Sequence, residues 1–332
     1  MELEWRQTVK EKAAKVPVKQ VSRVSAGLFF KVCRYLLLLG VSYLMLYPVL
    51  NNIVYTFSNP YDLLDGNVVW IPRNPTFMNI VNVLDYFKYV DHLKVTLSAS
   101  VISTGLSLIV CPMIGYGLAR YRFKGNGLVF ALVILTIIVP VQTAQVPLYL
   151  EYQAFDFFGI GTLIGKITGK PLTVNLLNTN WVYWLPAMFG VGLRSGVYIF
   201  LFRQYFKGMP KDLEDAGKVD GCTRFGVYLR LILPNVKPVF VTVFLLSMIF
   251  YWNDTVISGM LITSTDELPL ATYVDMLINL GGGAYTTGLR HELETMAEGR
   301  AAMLLVVAPL MILFIVCQKF FVESMDRSGI KG

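Results

Sequence analysis

The sequence predicts an all-α membrane protein with six transmembrane helices, and three observations carry that expectation. Of its 332 residues 55% are hydrophobic and 15% charged, with a mean hydropathy of +0.56, too apolar for a soluble domain. Six windows hold on the order of 20 largely apolar residues, the length of helix that crosses a hydrocarbon layer of about 30 Å. Runs such as YLLLLGVSYLMLYPVL and FALVILTIIVP are apolar on every face, whereas strands of a membrane barrel would alternate polar and apolar residues.

From the amino end, residues 1–30 form a basic arm without the uninterrupted apolar core and small-residue cleavage site of a secretory signal peptide; it is expected in the cytosol, against lipid headgroups. Residues 31–332 form the membrane domain, with spans expected at 35–57, 95–118, 128–150, 181–202, 238–256 and 301–317. Pro48, Pro112, Pro140, Pro147, Pro186 and Pro309 fall inside these windows. A proline removes a helical N–H donor and crowds the preceding turn, so bends are expected there. Two connections are long, 151–180 and 259–300, and Gly281-Gly282-Gly283 in the second reads as a flexible joint.

Lys and Arg in short loops resist translocation. With the amino terminus in the cytosol, 21 of the 29 lysines and arginines fall on that side and 7 on the other, with Arg194 left inside the fourth window. Both termini are therefore expected in the cytoplasm. Because these cations are distributed by loop rather than gathered on one face, the net charge of +7 reflects topology and contact with anionic lipid, and no nucleic-acid partner is expected. Cys33, Cys111, Cys222 and Cys317 are widely spaced within or at the inner ends of the spans, and read as packing side chains rather than a disulfide framework or zinc site.

The most informative polar segment is the inner connection 203–235. Pro210 suits a first helical turn, and Asp212 sits close to the positive helix end. Leu213, Ala216 and Gly217 share one face, Glu214, Asp215, Lys218 and Asp220 supply charge, and Gly221 can end the helix in a left-handed conformation. Thr223 can cap a second short helix that runs toward Leu233 and stops or bends at Pro234.

This segment resembles the EAA signature of permease subunits of ATP-binding-cassette importers: Glu-Ala-Ala, three residues, Gly, nine residues, then Ile-x-Leu-Pro. Asp215, Ala216 and Gly217 take the first three places, Gly221 the next, and Leu231, Leu233 and Pro234 the last. Asp for Glu, Gly for Ala and Leu for Ile are the departures. The phrases LYPVLNNIVYTFS, WIPRNPT, YGLARYRFKG, IVPVQTAQVPLYL, YWND and the terminal GIKG extend the resemblance over nearly everything after residue 35, most closely to the carbohydrate-uptake branch, similar to the inner permease of the maltose transporter.

The resemblance implies the type I importer permease fold in a bacterial cytoplasmic (inner) membrane. It also implies a second homologous permease subunit, two cytosolic ATPase subunits and an extracytoplasmic solute-binding protein. ATP and Mg would be used by the ATPase partners, with no cofactor bound by this chain. Asp215 would meet a basic residue of the ATPase, Ala216 and Gly217 would allow close backbone approach, Gly221 would set the angle between the two short helices, and Asp220, Leu231, Leu233 and Pro234 complete the coupling set. In keeping with this, the chain contains no GxxxxGK[ST] phosphate loop; GIGTLIGK at 159–166 has the wrong glycine spacing and no following Ser or Thr. HELET at 291–295 lacks the second histidine of HExxH, and the spans offer almost no titratable residues for an enzyme.

The transport path leaves alternatives open. Arg194, which costs about 2.5–3.5 kcal/mol in a span, either lines the pathway or is held structurally. Gln142 and Gln145 either bond sugar hydroxyls or tie helices together. Trp252, Asn253 and Asp254 either face cargo or anchor the fifth span at its outer end. The two long outer connections either touch the solute-binding protein or are solvated. A permease for a non-sugar solute is the alternative function; a receptor or structural membrane protein would leave the loop spacing unexplained.

Overall fold

The computed structural model describes residues 18–66, 70–86, 88–281 and 289–329. Most of the basic arm, part of the triple-glycine joint and most of the GIKG terminus lie outside the described residues. Regular structure within them is helical, with two isolated antiparallel bridges, Ser58 with Pro75 and Phe155 with Val174. In order the helices are α1 (Val18–Thr56), α2 (Met78–Tyr86), α3 (Tyr89–Arg120), α4 (Asn126–Ile138), α5 (Gln145–Gln153), α6 (Ile160–Thr168), α7 (Trp181–Met188), α8 (Ser195–Gly208), α9 (Asp212–Val219), α10 (Arg224–Val227), α11 (Leu233–Asn235), α12 (Lys237–Trp252), α13 (Val256–Leu261), α14 (Leu270–Gly281) and α15 (Leu289–Gly329).

Three described helices are long and apolar enough to cross a membrane: Phe29–Thr56, Tyr89–Arg120 and Leu293–Lys319. The count rises to 5 if two bent pairs are each one span: Asn126–Ile138 with Val141–Gln153, bent by 96°, and Arg224–Asn235 with Lys237–Trp252, bent by 78°. The fourth expected window, 181–202, is not one helix. α7 ends at Met188 and α8 begins at Ser195, with Gly190 at φ 70° and Arg194 at φ 58° between them. Two glycines within four residues and a proline in the last turn of α7 are enough to break it, which a hydropathy average does not register. Pro48, Pro112 and Pro309, by contrast, lie inside unbroken helices.

The centre is α3, packed by α7, α8 and α12. Thr96, Ser100, Ser103, Thr104, Ser107 and Cys111 form a buried stripe three or four residues apart, the spacing that lets helices approach closely in lipid. Gly115 extends the stripe. A Cβ there would lie 2.8 Å from Phe202 Cβ and 3.1 Å from Arg203 N, so α8 crosses α3 with no room for a side chain. Thr104 Oγ1 donates to Ser247 Oγ of α12 at 3.0 Å.

The periphery is the reverse. Leu44 and Met45 of α1 are 71% and 74% exposed, and α4 has no buried residue. Apolar side chains turned outward suit a lipid solvent, where burial against protein brings no hydrophobic gain. At the far end from the 203–235 loop, the two long connections are joined. Asn178 Oδ1 accepts from Thr263 N at 2.6 Å and Ser264 N at 2.9 Å, and His92 at the start of α3 stacks on Tyr273 at 3.7 Å.

Candidate coupling site and transport path

Helix α9 has eight residues, too short to persist alone. Its first turn carries Asp212, Glu214 and Asp215 at the positive dipole end. It closes on Gly221 at φ 76°: Gly221 N donates to Lys218 O at 3.1 Å and Cys222 N to Gly217 O at 3.0 Å, the paired bonds of a Schellman end. Thr223 then caps α10, its Oγ1 accepting from Gly226 N at 3.1 Å. A five-residue π turn, Tyr228–Ile232, leads into α11, and the 78° bend at Val236 passes the chain to α12. Pro234 and Pro238 occupy first-turn positions on either side, where a missing N–H is harmless.

Two contacts hold α9 to the body. Gly217 is buried, and a Cβ on it would meet Leu231 Cδ1 at 2.5 Å and Val227 Cγ2 at 3.0 Å. Its lack of a side chain thus serves packing of the loop on itself. The second contact joins the loop to the end of α3. Arg120 Nε lies 2.8 Å from Glu214 Oε1, the side chains being 6% and 13% exposed, and Arg120 Nη2 donates to Met209 O at 2.8 Å. The Nε–Oε1 approach is an ion contact rather than an aligned hydrogen bond, since neither atom has a bonding partner of proper geometry.

Asp215, one residue on, points the other way. It is exposed and, among the described residues, pairs with Lys218 of its own helix at 2.7 Å, and that ammonium holds its carboxyl below the usual aspartate range. Exposed apolar side chains stand among the loop's exposed charges: Leu213 is 38% exposed, Phe225 58% and Val219, one turn on from Asp215, 87%. Ala216 and Asp220 share this exposed side, Leu231 and Leu233 are half-buried on the core beneath, and Pro234 is exposed. A crevice of about 220 Å³ opens beside the Arg120–Glu214 pair, with Lys218 and Arg224 in its walls.

The loop rests on a buried cluster that includes Tyr116 of α3, Phe202 and Phe206 of α8, and Val227, Tyr228, Ile232 and Val236 of the loop itself. The Tyr116 ring lies 5.0 Å from that of Tyr228 and 5.4 Å from that of Phe206. α10 and the π turn are thereby packed on α3 and α8 through side chains in close contact, and α9 meets α3 through Glu214.

The candidate path residues do not converge. Trp252 is 2% exposed and donates Nε1–H to Val306 O at 3.0 Å, so it locks α12 to α15 rather than facing cargo. Asp254 is 6% exposed and accepts from Tyr183 OH at 2.8 Å, Ser258 N at 3.0 Å and Ile257 N at 3.2 Å, its oxygens spent inside the chain. Asn253 is exposed and bonds back to Ile249 O. Arg194 is exposed at the break between α7 and α8, its guanidinium 5.3 Å from the Phe250 ring, and not within a helix. Gln142 and Gln145 are exposed at the 96° bend.

Sequence reasoning missed the Arg120–Glu214 pair. Both residues lie in phrases that carry the family resemblance, but nothing in either phrase says that they meet.

A family model described as "Binding-protein-dependent transport system inner membrane component" matches residues 112–328. The arabinooligosaccharides transport system permease protein of Halalkalibacterium halodurans is 26% identical over 308 residues, covering 91% of this chain and 98% of that protein. The lactose transport system permease protein of Rhizobium radiobacter is 24% identical over 297 residues, covering 89% and 94%. A crystal structure of a bacterial ABC transporter involved in the import of the acidic polysaccharide alginate contains a chain of the same fold, with a TM-score of 0.69 at 20% identity, covering 89% of this chain and 98% of that one. With a match over well more than half its length, the chain belongs to the family of binding-protein-dependent transport system inner membrane components.

Proposed function

We propose that this chain is one permease subunit of an ATP-driven importer of sugars or oligosaccharides, and that the loop 203–235 is where a cytosolic ATPase subunit grips it. The carbohydrate cargo is supported by the named substrates of the relatives, an arabinooligosaccharide and a lactose system among them. The observation that carries the coupling role is the division of labour in α9: Glu214, 13% exposed, is held against the end of α3, while Asp215 faces outward one turn from the exposed Val219. An exposed carboxylate beside large exposed apolar side chains, on a loop otherwise seated on the core, is a surface suited to a protein contact.

In this reading Asp215 exchanges Lys218 for a basic residue of the ATPase, with Val219, Phe225 and Leu213 filling an apolar groove. Gly221 fixes the angle between α9 and α10, and Ala216, Asp220, Leu231, Leu233 and Pro234 complete the elbow. Nucleotide and Mg stay with the ATPase subunits. A second permease subunit covers apolar flanks such as α4, and a solute-binding protein docks on the joined outer connections. The chain then crosses the cytoplasmic membrane six times with both termini inside, the third and fourth crossings broken at Pro140 and at Gly190–Arg194. ATP favours the state whose ATPase dimer is closed only in proportion to its tighter binding there, and the elbow is the part through which that preference reaches the spans.

The test is reconstitution of the complete transporter with its binding protein. Asp215→Lys is expected to leave membrane insertion intact and to abolish stimulation of ATP hydrolysis and uptake of labelled oligosaccharide. Uptake at the wild-type rate by this variant overturns the coupling role; uptake of a non-sugar solute alone by the wild type overturns the cargo.

A further inference from the structure

The crevice beside the Arg120–Glu214 pair has no part in the coupling scheme so far. Three of the residues that line it are cations, Arg120, Lys218 and Arg224, and one is a carboxylate, Glu214. Lys218 and Arg224 stand close enough for the ammonium to feel the guanidinium's charge. Glu214 is committed to Arg120 at 2.8 Å, and among the described residues no carboxylate pairs with Arg224. Arg120, its side chain 6% exposed, keeps an Nε without an aligned hydrogen bond in the crevice wall. A concave site with this excess of cations attracts an anion.

Its size and place say where that anion comes from. At about 220 Å³ the crevice is smaller than the roughly 300–1,000 Å³ of sites for organic ligands, yet it has room for a side chain. Tyr116, Tyr121 and Val227 complete its walls, an aromatic and apolar lining that suits the carbon stem of such a side chain and offers nothing to a hydrated ion. The crevice also lies against the surface proposed above as the grip, because Lys218 in its wall is the residue to which Asp215 is bonded at 2.7 Å. That pair joins side chains 59% and 63% exposed on one solvated helix, so it is weakly held. Once Asp215 turns to a basic residue of the ATPase, Lys218 and Arg224 face the crevice together with no carboxylate committed to either.

We infer that the crevice receives an aspartate or glutamate side chain of the ATPase subunit, with Arg224 and Lys218 taking its carboxylate. The grip is then reciprocal: Asp215 gives a carboxylate to the ATPase, and the ATPase returns one to the crevice. In the undocked subunit the Asp215–Lys218 bond occupies both charges, and docking exchanges that one pair within a helix for two pairs of opposite sense across the interface. Two opposed pairs fix the register of the contact as well as its attraction, since a shifted partner would set like charges against each other. The inference rests on the coupling role proposed above.

The assembled transporter in nanodiscs is treated with a carbodiimide, which joins an amine to a carboxylate only where the two touch, and the linked peptides are identified by mass spectrometry. Lys218 is expected to be joined to an aspartate or glutamate of an ATPase subunit, and Arg224→Lys should add a link from position 224 to the same residue. Arg224→Glu should speed loss of the ATPase about tenfold, the order of one hydrogen bond to a charged group, whereas Arg224→Lys should hold it nearly as well as wild type. Lys218 linked only to Glu214 or Asp215 of its own chain, with no link from position 224, overturns the inference, as does equal retention of the ATPase in Arg224→Glu. So does loss of the links in millimolar inorganic phosphate, the result expected of a site for a free anion. The coupling role is read separately by Asp215→Lys. Loss of uptake in that variant with Lys218 unlinked in the wild type strikes the crevice alone; undiminished uptake strikes the grip, and the crevice with it.

Discussion

The chain turns sharply twice within a stretch of membrane-spanning composition, and the two turns are built differently. The 96° bend between α4 and α5 has a helix with no buried residue on one side and exposed Gln142 and Gln145 at its apex. The 78° bend between α11 and α12 sits on a sealed core: Ile232, Val236 and Val243 are fully buried, Gly217 packs on Val227 and Leu231, and Arg120 holds Glu214. Proline marks both, Pro140 at one and Pro234 with Pro238 at the other. The residue that permits a bend therefore does not decide what the bend is for. A bend on a packed core moves as a rigid lever; a bend without one takes its support from whatever lies alongside, lipid or another subunit.

Removing the lever's anchor should have the largest effect. Glu214→Ala leaves a buried guanidinium uncompensated, which costs up to about 3–5 kcal/mol, and the misaligned Nε–Oε1 approach places it below the top of that range. The transporter should melt earlier and lose ATPase association, and the double variant Arg120→Met with Glu214→Ala should recover part of the loss. Melting unchanged by Glu214→Ala would show that the pair supports nothing. Next in size is Gly217→Val. Its added carbons meet Val227 and Leu231, and overpacking of this kind costs about 1–3 kcal/mol. Because α9 and α10 are pushed apart at the elbow, coupling of ATP hydrolysis to transport should fall while membrane insertion holds. Both substitutions break the packed bend and leave the open one untouched.

Much of the packed bend was legible in the sequence, because it is made of local signals. Gly221, Thr223 and Pro234 each act on the backbone within a few residues, and each stands in the structure where its chemistry places it; Pro210, expected in the first helical turn, instead precedes the cap of α9 at Lys211. The second expected span, 95–118, lies wholly inside α3. What was not legible is non-local or directional. The Arg120–Glu214 contact joins distant segments, and no periodicity announces it. Trp252 and Asp254 look like a cargo-facing pair because both carry polar atoms at the end of a span, yet those atoms are consumed by Val306 O, Tyr183 OH and two backbone N–H groups. The break in the fourth window was hidden because Gly190 and Gly192 scarcely lower an apolar average, though Gly190 takes φ 70° there and a Cβ on Gly192 would lie 3.0 Å from Ala187 Cα.

A smaller effect is expected from Thr223→Ala, which removes the side-chain acceptor that caps α10 and leaves Gly226 N–H unpaired. Loss of such a cap costs typically about 1 kcal/mol. Thr223→Ser should restore it, since serine presents an oxygen at the same place. Hydrogen exchange at 224–227 is the sensitive measurement: protection should fall in the alanine variant and return in the serine variant. Equal protection in all three would mean that the core beneath, rather than the cap, holds this turn.

The open bend makes the opposite prediction, and it is the smallest in stability. The side chains of Gln142 and Gln145 are exposed and form no hydrogen bond among the described residues, so the double substitution Gln142→Ala with Gln145→Ala should shift melting by less than about 0.5 kcal/mol. Transport should not be so indifferent. Each amide offers two donors and an acceptor at the apex of a bend in an otherwise apolar segment, and a lost bond to a sugar hydroxyl is worth about 0.5–1.5 kcal/mol, roughly twofold to twelvefold in apparent affinity for cargo. Uptake measured against sugar concentration should therefore show a raised half-saturation point in a protein that melts normally, where the Glu214 and Gly217 variants lose stability and coupling together. If the double alanine variant instead melts early with unaltered affinity, the amides brace the bend against the neighbouring subunit, and the two bends differ only in which chain supplies the support.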